Sequence, residues 1–244
     1  MLSVNIILLY YPNRKMHYQK IKAKYEKEYD KLLNWKNDKM RLYRLKKIVN
    51  EITKQFGNNK DLELLDYGAG DGFLSMLLPN QVSYNYLDIT DNQHKTIRKE
   101  NTNQFCFETD FSLPFFGKTF DIIVLSEVIE HLPDVYKTLS DLKNILKKDG
   151  IIIITTPNAF YRVNILKGIL GKYIDPSEQH VNLYDYSTLI NIFKFGGYDL
   201  VKSTEYFFFS YWLFNFCPIL DKRLSKIFKY ISLNLFQVYK KNEE

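Results

Sequence analysis

Leu62-Glu63-Leu64-Leu65-Asp66-Tyr67-Gly68-Ala69-Gly70-Asp71-Gly72-Phe73-Leu74 is an apolar run that ends in an acid and then in glycines at alternate positions. An apolar run bounded by glycines predicts a buried strand, and Phe73 to Leu78 then predicts the helix leaving it. Strand, turn and helix together form the first βα unit of a nucleotide-binding α/β domain. Glycines serve there because the backbone turns sharply and because a side chain would keep a ligand from lying against the loop. A dinucleotide fingerprint would put its third glycine at position 73, where Phe73 stands; Gly72 comes one residue early. That spacing weakens the case for a nicotinamide dinucleotide and an oxidoreductase.

Beyond this unit, Ser83 to Asp88 predicts a second strand ending in an acid about 20 residues after Gly68, where a carboxylate meets ribose hydroxyls in this architecture. Gln104 to Glu108 predicts a third strand, followed by Asp110-Phe111 and Leu113-Pro114-Phe115. Phe120 to Ser126 predicts a fourth, running into a loop that holds Glu127, Glu130 and His131. Val135 to Leu146 then carries Leu139, Leu142, Ile145 and Leu146 at helical spacing, and Lys147-Lys148-Asp149-Gly150 offers cations and a glycine for the C-terminus of that helix. Ile151 to Asn158 predicts a buried fifth strand, Tyr198 to Glu205 a sixth, and the region near Leu235 to Tyr239 a last one.

The order of these motifs between Lys60 and Leu200 resembles the class I S-adenosylmethionine-dependent methyltransferases. The similar branch includes ubiquinone-biosynthesis O-methyltransferases and many sugar and natural-product methyltransferases. The resemblance implies a Rossmann-like α/β fold: a seven-stranded, mostly parallel sheet with helices on both faces and an N-terminal helical extension. It implies S-adenosylmethionine as cofactor, held by Asp66, Gly68, Ala69, Gly70, Gly72, Asp88, Ile89, Asp110, Phe111 and Ser126. Asp88 is expected on the ribose, and Asp110 with Phe111 beside the adenine. The implied activity is O-methylation of a small-molecule acceptor. Alternatives are an RNA 2′-O-methyltransferase using a divalent metal and a methyltransferase-fold protein that binds without catalysis. Against all of these stands the use of Asp at strand ends simply to accept backbone N–H bonds.

A chain of 244 residues, 45% hydrophobic and 16% aromatic, can bury one α/β core. We expect residues 1–57 to form a helical extension or lid, and 58–244 the cofactor-binding domain with an aromatic insertion near 206–220. Cys106 and Cys217 form no C-x-x-C pattern, so a reducing, cytoplasmic setting is expected. Met1 to Tyr10 is apolar but lacks a basic flank and a cleavage site, unlike a signal peptide. The net charge of +6 is concentrated between Arg14 and Lys60, where apolar stripes predict two helices. A basic face invites nucleic acid or anionic lipid, but a solvated lysine-rich face accounts for it more simply, and nucleic acid is the less favoured partner. The resemblance makes Tyr18, Tyr25 and Trp35 candidate lid residues. The uncharged aromatic segment from Tyr206 to Leu220 has three readings: core, greasy acceptor pocket or dimer surface, and peripheral membrane contact aided by Lys222, Arg223, Lys226 and Lys229. The oligomeric state is left open.

For the chemistry, a sulfonium methyl is already activated, so the enzyme must align an acceptor and exclude water. His131, after the fourth strand, is the candidate base for a hydroxyl acceptor; the same turn could merely cap and pack. Glu127, Glu130 and His131, with distant His180, also resemble the divalent-metal site of Hen-type small-RNA 2′-O-methyltransferases. Two carboxylates and two imidazoles on one point could hold Mg²⁺ or a transition metal.

Overall fold

A computed structural model describes residues 19, 22–23, 39–57, 61–89, 97, 102–106, 113, 117–172, 180–204, 206 and 218–243. Asp110, Phe111, the candidate lid residues Tyr18, Tyr25 and Trp35, and the aromatic segment 207–217 lie outside them. Among the described residues, seven strands form: β1 (Leu62–Tyr67), β2 (Val82–Asp88), β3 (Thr102–Cys106), β4 (Phe120–Ser126), β5 (Leu146–Pro157), β6 (Tyr198–Ser203) and β7 (Asn234–Lys241). They form one sheet in the order β3-β2-β1-β4-β5-β7-β6. β7 runs antiparallel to both neighbours, and the β1–β2, β1–β4, β2–β3 and β4–β5 pairs are parallel. The helices are α1 (Lys39–Phe56), α2 (Val135–Ile145), α3 (Arg162–Ile169), α4 (Tyr186–Phe195) and α5 (Pro218–Ile227).

The period of two along each strand sorts side chains between two cores. On one face Leu62, Leu64, Ile122, Val124, Ile151, Ile153, Phe236 and Val238 pack under Leu45, Ile48 and Ile52, which recur along one stripe of α1. On the other, Leu65, Tyr67, Ile123, Leu125, Ile152 and Ile154 pack under Leu139 and Leu142 of α2 and Leu189 and Phe193 of α4. Among the described residues, no helix is long and apolar enough to cross a membrane.

Three local expectations are corrected. Phe73 to Leu78 does not form an α-helix; a single 3-10 turn spans Phe73–Met76 behind Gly72. Pro79 explains the short element, because its ring disfavours helical geometry at Leu78 and it has no N–H to continue a helix. Likewise Lys147 to Gly150 does not end α2, since β5 begins at Leu146 straight after the helix. Lys147 Nζ instead donates to Asp121 Oδ2 at 2.8 Å, and the same oxygen takes the Glu63 N–H at 2.8 Å. Gly150 is needed for close approach: a Cβ there would lie 2.7 Å from Leu146 Cδ1 and 3.0 Å from the Asp121 carbonyl oxygen. β3 starts two residues before the expected Gln104, because its length follows its pairing with β2, from Tyr84 against Thr102 to Asp88 against Cys106.

Candidate active site

From β1 the chain steps outward to β2 and β3, then returns to the other side of β1 for β4 and β5. The carboxyl ends of β1 and β4 therefore flank the topological switch point, where open α/β sheets bind ligands. The glycine turn follows β1, and the Ser126-to-His131 segment follows β4.

The turn folds back on β2 through consecutive N–H groups. Gly68 and Ala69 donate to the Leu87 carbonyl at 2.7 and 3.3 Å, and Gly70 donates to Asp88 Oδ2 at 2.8 Å. Gly68, with φ +76°, lies so near the β4 loop that a Cβ would sit 2.5 Å from Val128 Cγ2. A Cβ on Gly70 would meet nothing within 4 Å. The first glycine is thus needed for packing, while the second presents bare backbone to open space beside the Asp88 carboxylate. Ala69 packs against the α1-side core and Ile89 against the α2-side core, so each anchors one flank of the site.

Acids cluster beneath this turn. Asp66 is buried and accepts a hydrogen bond from the Tyr84 hydroxyl at 2.6 Å. Burial pushes its carboxyl up to about 7; Tyr84 opposes the shift, while Asp88 and Asp71 add to it. Asp71 is held by both terminal nitrogens of Arg41 from α1 and takes the Phe73 N–H at 3.1 Å. Asp66 yields a pH prediction. Its folded pKa lies above the ordinary 3.8, so in that window the folded protein holds the proton more tightly than the unfolded chain, and stability falls as pH rises from about 4 to about 7. Asp66→Asn keeps an acceptor for Tyr84 but does not titrate. Its melting temperature, followed across that window by tyrosine fluorescence, should change by several degrees less than that of the wild type; parallel curves would refute the assignment.

The loop after β4 is tied to β5 and β7. Ser126 Oγ lies 3.2 Å from Thr155 Oγ1, and the Glu127 N–H donates to the Thr155 carbonyl at 2.9 Å. Glu127 adopts φ +58°, in the left-handed region. Its carboxylate takes Asn234 Nδ2 at 3.2 and 3.3 Å and lies 3.5 Å from Arg44. Glu130 is 2% exposed; Thr156 Oγ1 donates to its Oε2 at 2.9 Å, and its Oε1 has no hydrogen-bond partner. Burial, reinforced by the Glu127 charge, raises the Glu130 carboxyl well above the ordinary range. Its carbonyl accepts the Val181 and Asn182 N–H groups at 2.9 and 3.0 Å, and Asn182 Nδ2 donates to the Leu132 carbonyl at 2.7 Å. These bonds seat the His180 segment on the turn. The His131 and His180 rings meet edge to face, 4.8 Å between centroids at 71°, and His131 Nε2 lies 3.9 Å from Glu130 Oε1. Burial holds His180 below its ordinary pKa, against the pull of Glu127.

One ligand atom each from Glu130, His131 and His180 therefore lies within 4.8 Å of the others. Glu127, expected in the same set, points instead to Arg44 and Asn234. Arg41, Arg44, Tyr84, Thr156 and Asn234 were missed by the sequence reading. Arg41 and Arg44 stand one turn apart on the helix that carries Leu45 and Ile48, and that spacing was the available signal.

Residues 36–203 match the family described as methyltransferase domain. A ubiquinone biosynthesis O-methyltransferase of Rickettsia canadensis is 27% identical over 184 residues, 66% of this chain and 76% of that protein. Among solved structures, the magnesium protoporphyrin IX methyltransferase of Synechocystis PCC 6803 with bound SAH aligns with a TM-score of 0.57 at 14% identity, covering 82% of this chain and 83% of that one. An S-adenosylmethionine-dependent methyltransferase of Clostridium acetobutylicum aligns with a TM-score of 0.57 at 15% identity, covering 90% and 98%. The family match runs through the glycine turn, the β4 loop and the His180 segment, and the sheet has the form these structures share: the chain belongs to the methyltransferase domain family and is a class I S-adenosylmethionine-dependent methyltransferase.

Proposed function

We propose that this enzyme methylates a hydroxyl oxygen of a small molecule, with the acceptor bound beside Glu130, His131 and His180. The observation that carries the reading is the meeting of these three side chains at the carboxyl end of β4, across the switch point from the glycine turn. The likeness to a ubiquinone biosynthesis O-methyltransferase supports it.

S-adenosylmethionine supplies an activated methyl group on a sulfonium centre. The bare Gly70 backbone and the Asp88 carboxylate beside it fit it: the open backbone lets a ligand lie against the turn, and a carboxylate is an acceptor suited to ribose hydroxyls. Ala69 and Ile89 flank this seat, Ser126 borders it from β4, and Asp66 supports it from below. Arg41 and Arg44 extend from α1 in the 1–57 extension to the two site loops. At the acceptor, His131 takes the hydroxyl proton; the methyl group would pass to that oxygen as its bond to sulfur breaks, the electron pair staying on the departing thioether.

The same cluster fits a divalent cation, which would lower the pKa of the acceptor hydroxyl and orient it. The buried Glu130 Oε1, without a hydrogen bond and facing two imidazoles, is the kind of atom a cation satisfies. Glu130, His131 and His180 would hold it, and the cation would then activate the hydroxyl in place of the free His131 imidazole. The test is turnover with S-adenosylmethionine and a set of phenols and catechols, with products identified by mass spectrometry before and after chelator treatment. A methyl ether is expected, formed more slowly after chelation, with the rate restored by Mg²⁺ or Mn²⁺. Methylation at nitrogen would reject the acceptor class. Full turnover after chelation would leave His131 acting without a metal.

A further inference from the structure

α5 is built inside out. Its inward positions Asp221 and Ser225 are 2% and 3% exposed, and Ser225 Oγ is spent on the Asp221 carbonyl at 2.8 Å. Its outward positions Ile219 and Ile227 are 72% and 70% exposed, on the same face as Arg223 and Lys226. A helix facing water normally does the reverse. α3 has no buried residue, and its end presents Leu166, Ile169 and Leu170 to the exterior. The two helices leave one junction. Asn158 Nδ2 donates to the Tyr230 and Ser232 carbonyls after α5, at 2.9 and 2.8 Å, and the Asn158 carbonyl accepts the Tyr161 N–H at the start of α3.

Charge names the occupant of this surface. Positions 162–172 contain Arg162, Lys167 and Lys172 and no acid. Positions 218–231 contain Lys222, Arg223, Lys226 and Lys229, and their single acid, Asp221, is buried. Exposed aliphatic side chains between cations match an anionic interface, where apolar groups enter the acyl boundary and cations meet lipid phosphates. A nucleic acid would use the charges and leave the isoleucines and leucines in water. We propose that α3 and α5 together form a docking surface for an anionic lipid bilayer. It adjoins the acceptor side of the enzyme, because α3 follows the end of β5 and the turn after α5 leads into β7, where Pro157 pairs with Asn234. The surface does not depend on which acceptor is methylated.

The experiment is co-sedimentation of the full chain with vesicles of phosphatidylcholine, with and without phosphatidylglycerol. Binding is expected to be at least about tenfold stronger with phosphatidylglycerol and to weaken with salt. The double variant Ile219→Glu/Ile227→Glu should lose roughly tenfold or more of that binding. Arg223→Glu/Lys226→Glu, which leaves the apolar groups in place, should lose a similar amount, and an unchanged melting temperature certifies its fold. Equal binding by the wild type and both variants would overturn the proposal, as would absence of binding by the wild type. So would a dimer in sedimentation velocity that the Ile219→Glu/Ile227→Glu variant abolishes, because the face would then belong to a second copy of this chain.

Discussion

His131→Ala is expected to lower kcat by about 10²–10⁴-fold, the range for loss of a positioned acid–base group. The imidazole is fixed on two sides: the 3-10 turn Ile129–His131 sets its backbone, and His180 meets its ring edge to face. Alanine keeps the turn and removes the ring, so the loss falls on the step in which the hydroxyl proton leaves. The proposed cofactor seat lies across the switch point, on the β1 turn and the end of β2, and calorimetric affinity for S-adenosylmethionine should be unchanged. A variant that turns over like the wild type would remove His131 from the chemistry. Equal losses of affinity and turnover would make it a packing residue.

Asp88→Ala is expected to weaken S-adenosylmethionine binding by about ten- to a hundredfold, the equivalent of roughly 1.5–3 kcal/mol of charge-assisted hydrogen bonding. The carboxylate stands at the end of β2, buried, with one oxygen on the Gly70 N–H. Its removal acts twice: ribose hydroxyls lose their acceptor, and the turn loses a bond that holds Gly70 toward the ligand. Titration calorimetry reads the sum. Asp88→Asn separates the parts, since an amide oxygen still accepts from Gly70 but carries no charge. Unchanged affinity in both variants would move the ribose contact elsewhere.

What the sequence could and could not show follows the range of the interactions. β1, β4 and β5 are legible because strands buried on both faces read as continuous apolar runs, and the glycine turn is legible because left-handed backbone at Gly68, Gly70 and Gly72 has a compositional signature. Convergence of His180 on His131 was inferable only through the resemblance, since 48 residues separate them in the chain. The partners of the acids were not legible. Asn234 reaches Glu127 from β7 across 107 positions, and Thr156 reaches Glu130 from the neighbouring strand. Such contacts depend on strand order, which no local pattern encodes. Arg41 was harder to single out: apart from its spacing from Leu45 and Ile48, an arginine turned toward Asp71 looks, in a lysine-rich helix, like the rest of a solvated face. Lys147 to Gly150 misled because a basic run ending in glycine also serves a strand that must pass close to Asp121.

The left-handed backbone of Glu127 has a consequence for anyone seeking a hardier enzyme. A side chain at φ +58° costs roughly 1–2 kcal/mol that glycine would avoid. A search for stabilising substitutions would therefore rank this position early, and glycine there would take a carboxylate away from Arg44 and Asn234 and its charge away from Glu130. Heat tolerance and the electrostatics of the Glu130 cluster meet in one residue, and selection for the first alone would erode the second.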